Sequence, residues 1–276
     1  MDREFDRGYY RQPYRGLVGS FPDESVYPLD SFRVEWGPVF HRGRLDGSAR
    51  VLVIGQDPAT HEAIARRILV GEAGQRAQGL LTRLGIERSY VFINTFLYSV
   101  YGQGGGSRHI DDPAITAYRN KWINAIVADQ QIEAIVTLGQ LADSAYQQWR
   151  ATPKGAASTA AYATIRHPTY PESASRTGQI TKAEAFAKLC ESWNQMLTEL
   201  DPVITPDVAV PLRLYGTTIT HADLTAIPSR DLPPGLPDWM CALDAWAARN
   251  GTTAQLKRAT ITVTVPTAAR TWPPVA

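Results

Sequence analysis

The sequence predicts an α/β fold, a three-layer αβα arrangement around a four-stranded parallel sheet with N- and C-terminal extensions. Three observations predict it. Between residues 50 and 200, short β-rich apolar runs alternate with longer amphipathic stretches. The first run, Val51-Leu-Val-Ile54, reads as a strand buried on both faces and ends in Gly55. The amphipathic stretches carry their own helix starts, which separates them cleanly from the strands.

Taken in order, a helix is expected over 72 to 84, then a second strand over Tyr90 to Asn94 and a glycine-rich loop at 102 to 106. The next helix opens with Asp112 as cap and Pro113 in the first turn, where proline loses no hydrogen bond. Its apolar residues Ile115, Tyr118, Trp122, Ile123, Ile126 and Val127 share one face. Residues 132 to 138 read as the third strand, closed by Gly139 and followed by a helix to about Trp149. Residues 162 to 166 read as a weaker fourth strand. The last helix starts with Thr181 and Glu184 in capping-box spacing and stripes Phe186, Leu189, Trp193, Met196, Leu197 and Leu200 along one side.

This divides the chain into an N-terminal extension (1–45), a central domain (46–200) and a C-terminal segment (201–276). The first is rich in Tyr and Arg and reads as a strap over the core, with an arm along nucleic acid as the alternative. The last holds most of the prolines and a β-like run at 261 to 265, and is expected to pack as an irregular appendage.

Composition narrows the function classes. A chain of 276 residues that is 44% hydrophobic and 20% charged can bury a core, which argues against intrinsic disorder. No apolar run approaches the roughly 20 residues that span a bilayer, so no membrane association is expected. The charged start of the chain lacks a secretory apolar region, so a cytoplasmic location is expected. Two cysteines, Cys190 and Cys241, show no metal-ligand spacing, so no metal or cofactor is expected. A net charge of +1 means that any nucleic acid must be held by a local patch.

Parallel sheets bind ligands beyond the carboxyl ends of their strands. That rule selects Gln56 and Asp57, Asn94, Gly139 and His167. In Gly55-Gln-Asp-Pro-Ala59 the glycine permits a tight turn and the proline stiffens the segment after the acid, so Asp57 is expected to be presented and not buried. Asn94 offers an acceptor and a donor side by side, suited to reading a base edge or an amide. His167 precedes Pro168 and so lies in extended chain. Each alone has an ordinary structural explanation as a helix cap, a loop brace or a satisfied histidine. Their common location at one sheet edge is what points to chemistry.

The segments GQDPA (55–59), FINTF (92–96) and RHPTYPES (166–173) resemble the three signature segments of the uracil-DNA glycosylase superfamily, in order and on matching elements. RRILVGEAGQRAQGLLTRLGIERSYVFIN (66–94) and PVFHRGRLDGSARVLVIG (38–55) are similar to the branch whose members usually carry an iron–sulfur cluster. The resemblance spans about residues 38 to 200. It implies that the protein excises uracil from single- or double-stranded DNA, as a monomer, releasing free uracil and leaving an abasic site. Asp57 is then the residue that activates or positions water and stabilises the cationic sugar. His167 hydrogen-bonds the uracil oxygen as it becomes anionic. Asn94 reads the uracil edge, and Gln56 completes the pocket.

Several positions depart from the family pattern. Among the base-binding positions, Ala59 stands where many relatives have a tyrosine that blocks thymine's methyl group, and Leu69 where most have an aromatic that stacks on the flipped base, which predicts weaker base binding unless Tyr98 or Tyr101 substitutes. None of the four cluster cysteines is matched. GGGSRHID (104–111) is similar to the loop of a covalent subgroup, but its His109 is offset, so Arg108 and His109 are read as DNA phosphate contacts, with a covalent nucleophile as the lesser alternative. Thr169, Tyr170 and Ser173 are further DNA contacts, and Tyr170 or Pro171 takes the place of a leucine wedge. Glu172 is out of place beside phosphates. A DNA-damage binder without catalysis and a glycosylase for deaminated purines are the alternatives.

Overall fold

A computed structural model describes residues 8–102 and 106–270, so Gly104 and Gly105 of the glycine-rich loop lie outside the described residues. The strands are β1 (Arg42–Gly43), β2 (Val51–Gly55), β3 (Tyr90–Asn94), β4 (Ala134–Leu138), β5 (Ala161–Ile165), β6 (Trp246–Arg249) and β7 (Ile261–Thr264). The helices are α1 (Tyr14–Gly19), α2 (Thr60–Ala65), α3 (Glu72–Arg83), α4 (Pro113–Asp129), α5 (Gln140–Arg150), α6 (Pro153–Ala156), α7 (Tyr170–Ala174), α8 (Lys182–Leu200) and α9 (Ala254–Ala259).

The main sheet has the order β1-β3-β2-β4-β5. Its four parallel members are those expected, and β1 is an added fifth, antiparallel to β3. Two residues are too few to give a periodic signal, so β1 was hidden in the N-terminal extension. In β2 the side chains alternate between faces. Val51 and Val53 join α3 and α8 residues such as Leu80, Leu81, Trp193 and Leu197 in one core. Leu52 and Ile54 join Trp122 and Ile123 of α4 and Trp149 of α5 in the other. Hence the three layers. Asp112 caps α4 by accepting from the N–H groups of Ala114 and Ile115, and Thr181 and Glu184 form the capping box of α8.

The chain runs from β2 outward to β3 and then back across to β4 on the other side of β2. Strand order therefore reverses at β2, the place where such sheets open a crevice at their carboxyl edge. Register puts Gly55 beside Asn94 and Thr137 beside Ile54.

Both flanks are built into the body. The N-terminal extension forms a strap: Phe32 bridges Val100 antiparallel, the Arg33 N–H donates to the Ser99 carbonyl and the Tyr101 N–H to the Ser31 carbonyl. The C-terminal segment is more ordered than an irregular appendage, since β6 and β7 form an antiparallel hairpin. Ile204 and Tyr215 enter the α3/α8 core, while Ile227, Leu232 and Met240 pack on Ala65 and Val70.

Asp231 anchors that segment. Its Oδ2 pairs with Arg42 Nη1 at 2.9 Å, with both side chains fully buried, and accepts from the Tyr90 hydroxyl at 2.6 Å. Arg44 pairs with its other oxygen. Removing one partner of a buried pair strands the other charge, at a cost of about 3–5 kcal/mol. Asp231→Ala is expected to lose that much in urea denaturation of the whole chain. A loss under about 1 kcal/mol would show that the pair does not hold the segment.

Candidate functional site

The site is assembled by the turns that follow β2, β3 and β5. After β2, Gly55 is pressed by neighbours: a methyl there would come 2.4 Å from Asn94 Oδ1 and 3.7 Å from Leu69 Cδ1. Only glycine fits. The next peptide is tied to the β3 turn, as the Phe96 N–H donates to the Gln56 carbonyl at 2.9 Å and Thr95 donates to the Gly55 carbonyl through both its N–H and its hydroxyl.

Asp57 keeps partial solvent contact, yet protein surrounds its carboxyl. Oδ2 accepts from the Val100 N–H at 3.0 Å. Burial pushes the carboxyl up to about 7; nearby Glu62 adds to the rise, and the Val100 N–H and the Gln56 side chain oppose it. The acid is thus more enclosed than the expectation of a presented carboxylate, because Val100, in the segment paired with the strap, closes on it.

Glu62 is a residue that the sequence reading missed. Only 5% exposed, it accepts from the Ala59 N–H at 3.1 Å and the Val70 N–H at 3.2 Å, so it joins the acid loop to the Leu69 loop. Its own carboxyl is pushed up by burial. The spacing Ala59-x-x-Glu62, an N-cap position followed by glutamate at the third helical residue, was the available signal.

His167 follows β5. The Thr169 N–H donates to its Nδ1 at 3.2 Å, and the Thr169 hydroxyl lies 2.9 Å from the same nitrogen. A ring nitrogen that accepts a main-chain N–H carries no proton, so the neutral ring holds its proton on Nε2. Burial takes the imidazole down to about 4, with Arg76 adding to the fall and Glu172 opposing it. Neutrality at physiological pH follows.

The three side chains share the sheet edge but face different spaces. Gln56 and His167 line a surface cleft between the β4 and β5 ends and α8, together with Gly139, Tyr170 and Ser173. Asn94 lines a small cavity of about 20 Å³ with Thr95, Tyr118, Arg119 and Trp122, room for about one water molecule. Leu69 is 7% exposed and adopts a left-handed φ of 52°, an uncommon conformation for a side-chain-bearing residue. Gly74 permits it, since a methyl there would lie 1.7 Å from the Leu69 carbonyl oxygen.

The other sequence-predicted residues are placed as follows. Ala59 is exposed at the start of α2. Tyr98 is buried, edge-on to Tyr27, and donates to the Pro22 carbonyl at 2.8 Å; it belongs to the core. Tyr101 lies under the Arg33 guanidinium, 4.0 Å from ring centre to carbon. Arg108 is exposed and paired with Asp30 at 3.2 Å, while His109 Nε2 lies 2.9 Å from the Ser31 hydroxyl, so both are tethered to the strap. Pro171 is buried and cannot serve as a wedge; Tyr170 is half-buried with Arg166 over its ring, and Ser173 is exposed. Glu172 is gripped by Arg76 at 3.0 Å.

The sequence profile of the Uracil DNA glycosylase superfamily matches residues 42–194, more than half of the 276-residue chain. The chain belongs to that superfamily. It is accordingly a DNA glycosylase, a hydrolase of base excision repair that acts on DNA. No individual curated protein matches the chain. The match begins at β1 and ends in α8, so the strap and the hairpin segment are additions to the glycosylase core. The iron–sulfur cluster found in one branch does not fit this glycosylase: a four-thiolate site needs four cysteines, and the sequence has two, of which Cys190 is packed in the core. Among the described residues, no helix is long and apolar enough to cross a membrane.

The raised carboxyl of Asp57 has a stability consequence with a definite sign. A folded-state value of about 7 against an ordinary 3.8 favours the protonated form in the fold. That contribution is fully present below 3.8 and is lost as pH rises through 7. Asp57→Asn, which keeps an acceptor for Val100, is expected to stabilise the glycosylase at pH 8 by on the order of 2 kcal/mol and to change little at pH 4. Thermal unfolding at both values checks it; equal effects at the two would contradict a buried charge.

Proposed function

We propose that this glycosylase removes uracil from DNA, leaving an abasic site and free uracil. The observation that carries the reading is an acid and an imidazole in the turns after β2 and β5, Asp57 accepting from the Val100 N–H and His167 accepting from the Thr169 N–H at Nδ1, with burial raising the carboxyl to about 7 and lowering the imidazole to about 4. Breaking the N-glycosidic bond sends its electrons to the base and leaves a cationic sugar. Ionised Asp57 stabilises that sugar and takes the proton of the attacking water as the new C–O bond forms. His167 donates from Nε2 to the uracil oxygen that gains charge, and a preorganised donor of this kind is worth about a hundred- to a thousandfold in rate. The family resemblance gives Asn94 the reading of the carbonyl and imide N–H of uracil, which requires its side chain to turn from the small cavity it lines toward the cleft of Gln56 and His167. Cytosine presents the reversed pattern, and a pocket that leaves polar groups unpaired rejects such a base by about 10⁴-fold.

Ala59, exposed and small, leaves the C5 side of the base open. That favours a glycosylase with weak rejection of thymine, for which one methyl is worth about 1–3 kcal/mol, and it keeps deaminated purines as the second reading. Leu69 offers an apolar surface in place of an aromatic one, so base stacking contributes less than the roughly 1–3 kcal/mol an aromatic provides.

Single-turnover assays on oligonucleotides bearing uracil, thymine, hypoxanthine or xanthine, with alkali cleavage of abasic sites, test the reading. Release of uracil from single- or double-stranded DNA is expected, with Asp57→Asn and His167→Ala each at least a hundredfold slower and still folded. Because Asp57 acts ionised, kcat/KM is expected to rise with pH through about 7. DNA binding with no base released would make the protein a damage binder. Asn94→Asp is expected to erode the preference for uracil over cytosine, and unchanged selectivity would remove its base-reading role.

A further inference from the structure

We propose that Arg76 is a positioning residue for His167 and that it acts through one peptide group, the link between Pro168 and Thr169. Arg76, on α3, donates from Nη1 to the Pro168 carbonyl oxygen at 2.7 Å. The N–H at the other end of the same planar group is the one that donates to His167 Nδ1. A guanidinium on the carbonyl polarises the amide and strengthens its N–H as a donor. The ring is thereby held with a bare Nδ1 toward the peptide and its Nε2 proton toward the substrate side. The inference rests on the reading of His167 as donor to the departing base.

Arg76 is fixed for this purpose. Only 6% exposed, its guanidinium forks onto Glu172, Nη1 to Oε2 and Nη2 to Oε1, both at 3.0 Å. Nη2 also pairs with Glu72 one turn back on α3, and the Phe186 ring lies 5.3 Å from the guanidinium carbon. Glu172 in turn lies 3.5 Å from Lys182 Nζ. Although its partial burial works the other way, the bonds from Arg76 hold the Glu172 carboxyl below its ordinary value, so it stays ionised. The glutamate that looked misplaced in a DNA-facing loop is the anchor of the arginine. The charged groups that act on the imidazole are Arg76 of α3 and Glu172 of α7, paired in turn with Glu72 and with Lys182 of α8, while Asp143, Arg166, Lys188 and Glu191 line the adjoining cleft. Arg76 and Glu172 act on the ring in opposite senses, the cation opposing its protonation and the carboxylate favouring it.

That opposition separates a relay from a mere clamp. If Arg76 and Glu172 only held the loop, removing either would loosen it and move His167 in the same direction. The experiment is nitrogen-15 NMR of the histidine side chains in the full chain, with His167 identified by its loss in His167→Gln, combined with single-turnover base release. In the wild type the proton is expected on Nε2, and in Arg76→Met, with the Thr169 N–H a weaker donor, a share of it is expected on Nδ1; an unchanged tautomer there would leave Arg76 acting through space alone and overturn the peptide link. Arg76→Met is expected to move the His167 titration upward, Glu172→Gln further downward, and Arg76→Lys to fall between wild type and Arg76→Met. Base release in Arg76→Met is expected to slow by about ten- to a hundredfold with KM within about threefold, the scale of a displaced catalytic group. Shifts of the same sign in Arg76→Met and Glu172→Gln, or an unmoved His167 in Arg76→Met, would overturn the proposal. Should Arg76→Met fail to fold, Arg76→Lys and Glu172→Gln still give the two signs. A wild type inactive on uracil DNA but showing the opposed shifts would leave the relay standing and remove the uracil reading instead.

Discussion

A carboxyl enclosed by protein is costly to ionise, and the candidate site is organised around that cost at Asp57. A buried carboxylate is tolerated only with hydrogen bonds to its charged form, and the partner supplied is the N–H of Val100. Val100 is in place because the strap pairs with its segment at Phe32. Glu62, a second buried carboxyl, fixes the acid loop to the Leu69 loop and pushes Asp57 further toward neutrality. The result is a carboxyl pushed up to about 7, unlike that of an exposed acid.

The parts of the chain outside the family match thus bear directly on the site. The strap pairs with the Val100 segment that bonds the acid, and the C-terminal segment packs on α2 and the Leu69 loop. There the Ala247 N–H of β6 donates to His61 Nδ1 on α2 at 3.1 Å, just beyond the acid loop. The same segment neutralises Arg42 of β1 with Asp231. It also presents Asp207 to three consecutive N–H groups, those of Glu87, Arg88 and Ser89, before β3. Edge strand, loop and helix around the core therefore depend on residues distant in sequence for their polar partners.

On the other side of the sheet edge, the loop after β5 is drawn inward. Pro171 is buried, α7 folds the chain back against α8, and Arg76 grips the loop from α3. A loop so held presents a firmly oriented histidine and few exposed apolar side chains. Tyr170, half-buried beneath Arg166, is the remaining candidate for contact with the base stack.

By itself the sequence determined the four parallel strands, the capped helices at Asp112 and Thr181, and that Gln56, Asp57, Asn94 and His167 stand at the carboxyl ends of β2, β3 and β5, though not that Asn94 faces a different cavity from His167. These follow from local rules: apolar periodicity, caps, and the fact that a parallel sheet puts the ends of its strands together. Only the tertiary structure decided the protonation of those groups. The enclosure of Asp57, the grip of Arg76 on the Pro168 carbonyl and Glu172, and the packing of Tyr98 into the core arise between segments far apart in the chain, whereas the Thr169 N–H on His167 and the bonds of Glu62 to Ala59 and Val70 are local. Desolvation and hydrogen bonding across such distances depend on what packs against a residue, and no window of neighbouring residues contains that information.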